Sequence, residues 1–112
     1  MKNESESIRL TQLTKMLESA PNDAFITYAL GLEHQKAHAH LKAITFFQKT
    51  IILDASYLAA YYQQAVSMAA LGEVASALGI LDAGIAASKL KNDSKSQAEM
   101  RNLQMNLLIE ES

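Results

Sequence analysis

The sequence contains no cysteine. That one absence excludes disulfides, thiolate metal sites and a cysteine nucleophile. Tryptophan is missing too, proline occurs once and glycine four times, so little interrupts a helix anywhere in the chain. Basic charge is not in excess. The formal net charge is −2, which removes the electrostatic case for a nucleic-acid partner. No run of about 18 residues is apolar enough to span a bilayer. Residues 1–10 are polar and charged, without the apolar core of a signal peptide. Catalytic motifs are absent as well: there is no glycine-rich phosphate loop, no His-Glu-x-x-His and no nucleophile elbow. The expectation is a cytoplasmic, non-enzymatic protein with no cofactor, no nucleic acid and no membrane among its partners.

What is present is alanine, leucine and ordinary globular composition, 49% apolar and 20% charged over 112 residues. That is one domain's worth of chain. Residues 1–4 read as a frayed end. Ile8, Leu10, Leu13, Met16 and Leu17 then recur at helical steps from Ser5 onward. Ala20-Pro21-Asn22-Asp23 stops that helix, with Asn22 or Asp23 free to cap the next. A second helix is expected over 24–36, with apolar residues on more than one stripe and Gly31 in its middle. Glycine there costs about 1 kcal/mol against alanine, and a close neighbour is the reason to keep it. Ala37-His38-Ala39-His40 is a turn. The third helix follows over 41–53, and Asp54-Ala55-Ser56 breaks it with Asp54 or Ser56 as the next cap. Helices over 57–71, 74–88 and 95–109 complete the set, the last capped by Asn92-Asp93-Ser94.

Between Asp23 and Lys89 the chain echoes itself at an offset of 34 residues. Leu30-Gly31 returns as Gln64-Ala65, Tyr28 as Tyr62, Ala43 as Ala77 and Phe47 as Leu81. A common offset of this size is that of a helix-turn-helix unit stacking on copies of itself. Charge supports stacking. Between Ala55 and Ser88 the only charged residues are Glu73 and Asp82. Those two helices either form the middle of a stack or turn one face to another chain.

These residues resemble the tetratricopeptide repeat (TPR) family, whose unit reads W-x2-L-G-x2-Y, then A-x3-F, then P. The first unit places Thr27, Leu30, Gly31, His34, Ala43, Phe47 and Ala55 on those slots. The second places Tyr61, Gln64, Ala65, Met68, Ala77, Leu81 and Lys89. Pro21 closes a preceding half unit. The leading tryptophan and the closing proline are lost from both full units, while the small residues Gly31, Ala43, Ala65, Ala77 and Gly84 hold. Pro21-Asn22-Asp23-x-Phe25 with Tyr61-Tyr62 also looks like small stand-alone bacterial TPR proteins. The resemblance implies an all-α, right-handed α-α superhelix of about six antiparallel helices. It divides the chain into a half-repeat helix (5–20), repeat 1 (24–57), repeat 2 (58–91) and a C-terminal capping helix (92–110).

The resemblance also implies a function. In the family the first helix of each unit lines a concave groove. Here it would present Phe25, Tyr28, Leu32, Gln35 and Lys36 from the first unit, and Ala59, Tyr62, Gln63, Val66 and Ala70 from the second. TPR domains that clasp the C-terminal carboxylate of heat-shock chaperones carry lysine and asparagine where this chain has Tyr28 and Leu32, so that activity is not implied. An apolar groove suits a helix or peptide of a protein partner. The alternative is self-association as a homodimer, the groove or last helix being consumed in it, with Met100, Met105, Leu108 and Ile109 as contacts. No metal is expected. The one candidate pair is His34 and His38, four apart and on one face of a continuous helix. The competing reading puts His34 in the tyrosine slot of the motif and leaves His38 and His40 in a solvated turn.

Overall fold

The computed structural model describes residues 4–111, with side chains over 8–111. The frayed end expected for residues 1–4 falls outside that range, save Glu4, which already belongs to a helix. Six helices follow one another: α1 (Glu4–Ser19), α2 (Ala24–Lys36), α3 (His40–Leu53), α4 (Leu58–Ala70), α5 (Val74–Leu90) and α6 (Ser94–Glu111). No strand occurs among the described residues. Each helix packs on the next in sequence, and in addition α2 touches α4 and α4 touches α6. The odd-numbered helices do not touch one another among the described residues. The stack therefore has two layers, α2/α4/α6 and α1/α3/α5. The layer whose helices meet is the concave one. It is an all-α, right-handed superhelix.

Caps and turns explain the helix ends. The Asp23 carboxylate accepts the Ile26 amide at 3.2 Å at the head of α2 and Asp93 accepts the Ser96 amide at 2.9 Å at the head of α6. Both satisfy amides that a helix leaves open at its start. Asp54 does not cap α4. It folds back locally, accepting from the Ser56 amide at 2.9 Å and the Ser56 hydroxyl at 2.7 Å. The N-cap of α4 is Tyr57, without a side-chain bond. Three helices end in left-handed residues: His38 at φ 59°, Gly72 at φ 79° and Asn92 at φ 56°. Beyond each, an amide bonds back five residues: Ala39 to the His34 carbonyl, Glu73 to Met68 and Asp93 to Ser88. His38 thus stands where the next unit has the more permissive Gly72.

The core joins units through small residues. A Cβ added at Gly31 would collide with the Phe47 ring. One added at Gly84 would lie 2.5 Å from the Met100 sulfur and 2.8 Å from Tyr61 Cβ. These two glycines mark the close approaches of α2 to α3 and of α5 to its neighbours. Tyr61, Ala65, Ala77, Leu81, Ile85, Met100 and Leu107 form one continuous cluster through α4, α5 and α6. The tryptophan slot of the first unit is filled differently. Thr27 and Thr50 are both fully buried, and their hydroxyls meet at 2.7 Å. In the second unit Tyr61 fills the slot and its hydroxyl donates to the Ala55 carbonyl at 2.7 Å.

Candidate partner-binding groove

The concave layer is not one uniform trough. Gln35 crosses it, its amide donating to the Gln63 carbonyl at 3.2 Å and the Ser67 hydroxyl at 3.0 Å. His40 Nδ1 meets the same Ser67 hydroxyl at 3.1 Å. This polar seam ties α2 to α4, so Gln35 holds the wall in place rather than offering a free contact. On either side lies a recess. One, of about 360 Å³, lies between the two layers at the start of the stack, where α1 meets α2, over Leu13, Met16, Phe25, Ala29 and Leu32, with Arg9 and Glu33 at its edge. The other, of about 290 Å³, lies between α4 and α6 over Leu58, Ala59, Tyr62, Gln63, Ser96, Glu99 and Met100.

Of the ten expected groove residues, Phe25 and Leu32 line the first recess and Ala59, Tyr62 and Gln63 the second. Phe25 is 64% exposed. Leu32 and Val66 are half-buried, and Ala59 and Ala70 are exposed. Tyr62 and Gln63 line the second recess. Tyr28 is less available than Tyr62. Its ring wedges between Phe47, 5.7 Å away, and Tyr57, 5.0 Å away. Burial disfavours its phenolate and raises its pKa above the usual tyrosine value. Lys36 is also engaged, its ammonium 3.1 Å from Glu33. Glu33 itself is 7% exposed and takes a second cation, Arg9, at 3.5 Å. Periodicity could not single out that buried carboxylate, because its burial comes from α1 lying across α2. Ser96 and Glu99 were missed for the same reason: they join the site only because α6 folds back beside α4. The last helix does not fill the groove. It touches α4 and α5 but not α2, so it supplies a wall.

Two expectations need correction. Met100 is 1% exposed; its sulfur packs over Gly84 in the core and cannot serve as a surface contact. Met105, Leu108 and Ile109, on the other side of α6, are 61%, 56% and 65% exposed. The pair His34 and His38 does not share a helix face. α2 ends at Lys36 and His38 lies beyond it in the left-handed region. His34 stacks on Phe46 with centroids 5.3 Å apart and planes 7° from parallel, filling the tyrosine slot of the motif. No group of three metal-capable side chains occurs among the described residues. No helix among them is long and apolar enough to cross a membrane.

Comparison with known proteins starts from a negative: no family model matches the chain, and no curated protein matches it. Solved structures do match. The TPR2B domain of yeast Sti1, in complex with pHsp70, superposes with a TM-score of 0.88 at 26% identity, over 95% of this chain and 85% of that one. The TPR2AB domain of yeast Sti1, in complex with pHSP90, gives 0.86 at 27% identity, over 91% of this chain and 40% of that one. BPP2914 from Bordetella parapertussis shares the fold, with a TM-score of 0.80 at 18% identity over 98% and 91% of the two chains. The two-layer stack and its small-residue contacts define an α-α superhelical repeat protein. With the motif slots filled as described, the chain shares the fold of these tetratricopeptide repeat domains.

Proposed function

We propose that the protein is a non-catalytic interaction module that receives a helix or peptide of a partner protein along its concave face. We read the units as 24–57 and 58–91, between the α1 half unit and the α6 cap. The observation that carries the proposal is the exposure on α2 of the large apolar side chain of Phe25, at 64%. Tyr62 and the half-buried Leu32 and Val66 extend that apolar surface along α2 and α4. The yeast Sti1 domains in complex with pHsp70 and pHSP90 lend support to a peptide ligand. Their ligands are not transferred to this chain, which has Tyr28 and Leu32 where carboxylate-clasping domains carry lysine and asparagine. The test is a pull-down comparing wild type with the Phe25→Glu/Tyr62→Glu double variant. The variant is expected to lose the partner. Capture of the same proteins by both would place the site elsewhere.

A second reading has its own observation. Met105, Leu108 and Ile109 make a second apolar stripe on α6, each more than half exposed, and methionine suits adaptable contacts. On this reading the stripe mediates a homodimer. Light scattering over a dilution series decides it: a monomer at every concentration sinks the dimer.

A further inference from the structure

The recess between α4 and α6 differs from the rest of the concave face in one respect. Its floor is apolar, made by Leu58 at 7% exposure and Met100 at 1%, but its rim carries a single charged group, Glu99. Among the described residues the ion pairs are those of Glu33 with Arg9 and Lys36, so no cation pairs with Glu99. Lys95 stands one turn earlier on the same helix and forms no such bridge either. Tyr62 faces Glu99 across the recess from α4, with Gln63 beside it. The Ser96 hydroxyl donates to Asp93 at 2.9 Å, which leaves its lone pairs open to a donor.

We propose that this recess takes an arginine side chain of the partner, its aliphatic stem lying along exposed Ala59, its guanidinium between the Tyr62 ring and the Glu99 carboxylate. The proposal deepens the peptide-binding reading above and rests on it. The one charged group of the rim fits a donor-only cation. Glu99 accepts two hydrogen bonds in the plane of a guanidinium fork. A tyrosine face attracts a cation by its quadrupole. The Gln63 side-chain oxygen and the Ser96 oxygen accept. A carboxylate ligand would meet Glu99 as a like charge. Lysine meets the charge requirement but not the planar one: guanidinium is less strongly hydrated than ammonium and stacks on an aromatic ring. The recess volume of about 290 Å³ holds one long side chain, so neighbouring ligand residues would run on toward Val66 and Leu32.

The test is an NMR titration of the isotope-labelled full chain with three matched probes: the N-acetyl, N-methylamide derivatives of arginine, norleucine and glutamate. The arginine probe should saturate, shifting the amides of Tyr62, Ser96 and Glu99, and bind more tightly than norleucine, which in turn exceeds glutamate. Glu99→Gln keeps the side-chain shape and should weaken arginine about fivefold, the size of a solvent-exposed ion pair, without changing norleucine. Tyr62→Leu should weaken arginine more than norleucine. Arginine binding no tighter than norleucine, or unchanged in Glu99→Gln, would overturn the proposal while leaving the apolar groove intact. The groove itself is judged separately, by a pull-down with Phe25→Glu alone, which lies outside this recess.

Discussion

Gly84 and Gly79 lie five residues apart on α5, and replacing each by alanine should move stability in opposite directions. In a helix interior the exchange alone favours alanine by about 1 kcal/mol, because glycine loses more backbone freedom on folding. At Gly79 nothing lies within 4 Å of the added methyl, so that gain stands undiminished, about 0.5–1 kcal/mol. At Gly84 the methyl would sit 2.5 Å from the Met100 sulfur and 2.8 Å from Tyr61 Cβ, well inside the 3.5–4 Å at which carbon atoms rest. Met100 can rotate away. Tyr61 Cβ is bonded directly to the backbone of α4, so relief there needs α4 and α5 to part. Parting them loosens Ala77 and Leu81, both fully buried. Overpacking of this kind costs about 1–3 kcal/mol. Net of the propensity gain, Gly84→Ala should lose about 1–2 kcal/mol and Gly79→Ala should gain. Urea denaturation followed by far-UV circular dichroism measures both. Gly84→Ala as stable as Gly79→Ala would show that α4, α5 and α6 do not meet as closely as described.

Other outcomes follow from single contacts. His38→Gly should stabilise by about 0.5–1 kcal/mol, because the left-handed turn at φ 59° strains any residue with a Cβ; thermal melting reads it. Thr27→Val and Thr50→Val should each cost about 1 kcal/mol and the double variant less than their sum, since the hydroxyls that meet at 2.7 Å are removed together. Urea midpoints of the four proteins give the coupling. Ser96, through its amide and hydroxyl, holds the Asp93 carboxyl below its ordinary pKa. A depressed folded value stabilises above the unfolded pKa, and that contribution is lost as pH falls through the folded value, on the acid side of about pH 4. Amide exchange at the start of α6 should therefore rise there first, and Asp93→Asn should remove the dependence.

How much of this was legible beforehand depended on whether a feature is local or arises between helices. The repeat is local, so the echo of Tyr28 in Tyr62 and of Ala43 in Ala77 placed the helices within a few residues of their ends. Gly31 was read rightly as a close approach, because a mid-helix glycine has few other reasons to be kept. Thr27 was read as a weakened motif position. It is a buried polar pair instead, and only Thr50 on the next helix makes that tolerable. Asp54 looked like a cap by residue type, but it bonds Ser56 before α4 begins, so its carboxylate is already spent. The ligand spacing of His34 and His38 assumed a helix that in fact stops between them. Glu33, Ser96 and Glu99 carry no periodic signal at all. Their roles come from α1 crossing α2 and from α6 returning beside α4.

The concave face as the partner-binding surface is tested most directly by site-specific photocrosslinking in cell extract. A photoreactive phenylalanine analogue is placed at Tyr62 on the concave face and, separately, at exposed Ala83 on the outer face of α5. The prediction is a discrete partner adduct from position 62 that disappears with Phe25→Glu, and none from position 83. Adducts from position 83, or from position 62 equally with and without Phe25→Glu, would contradict it.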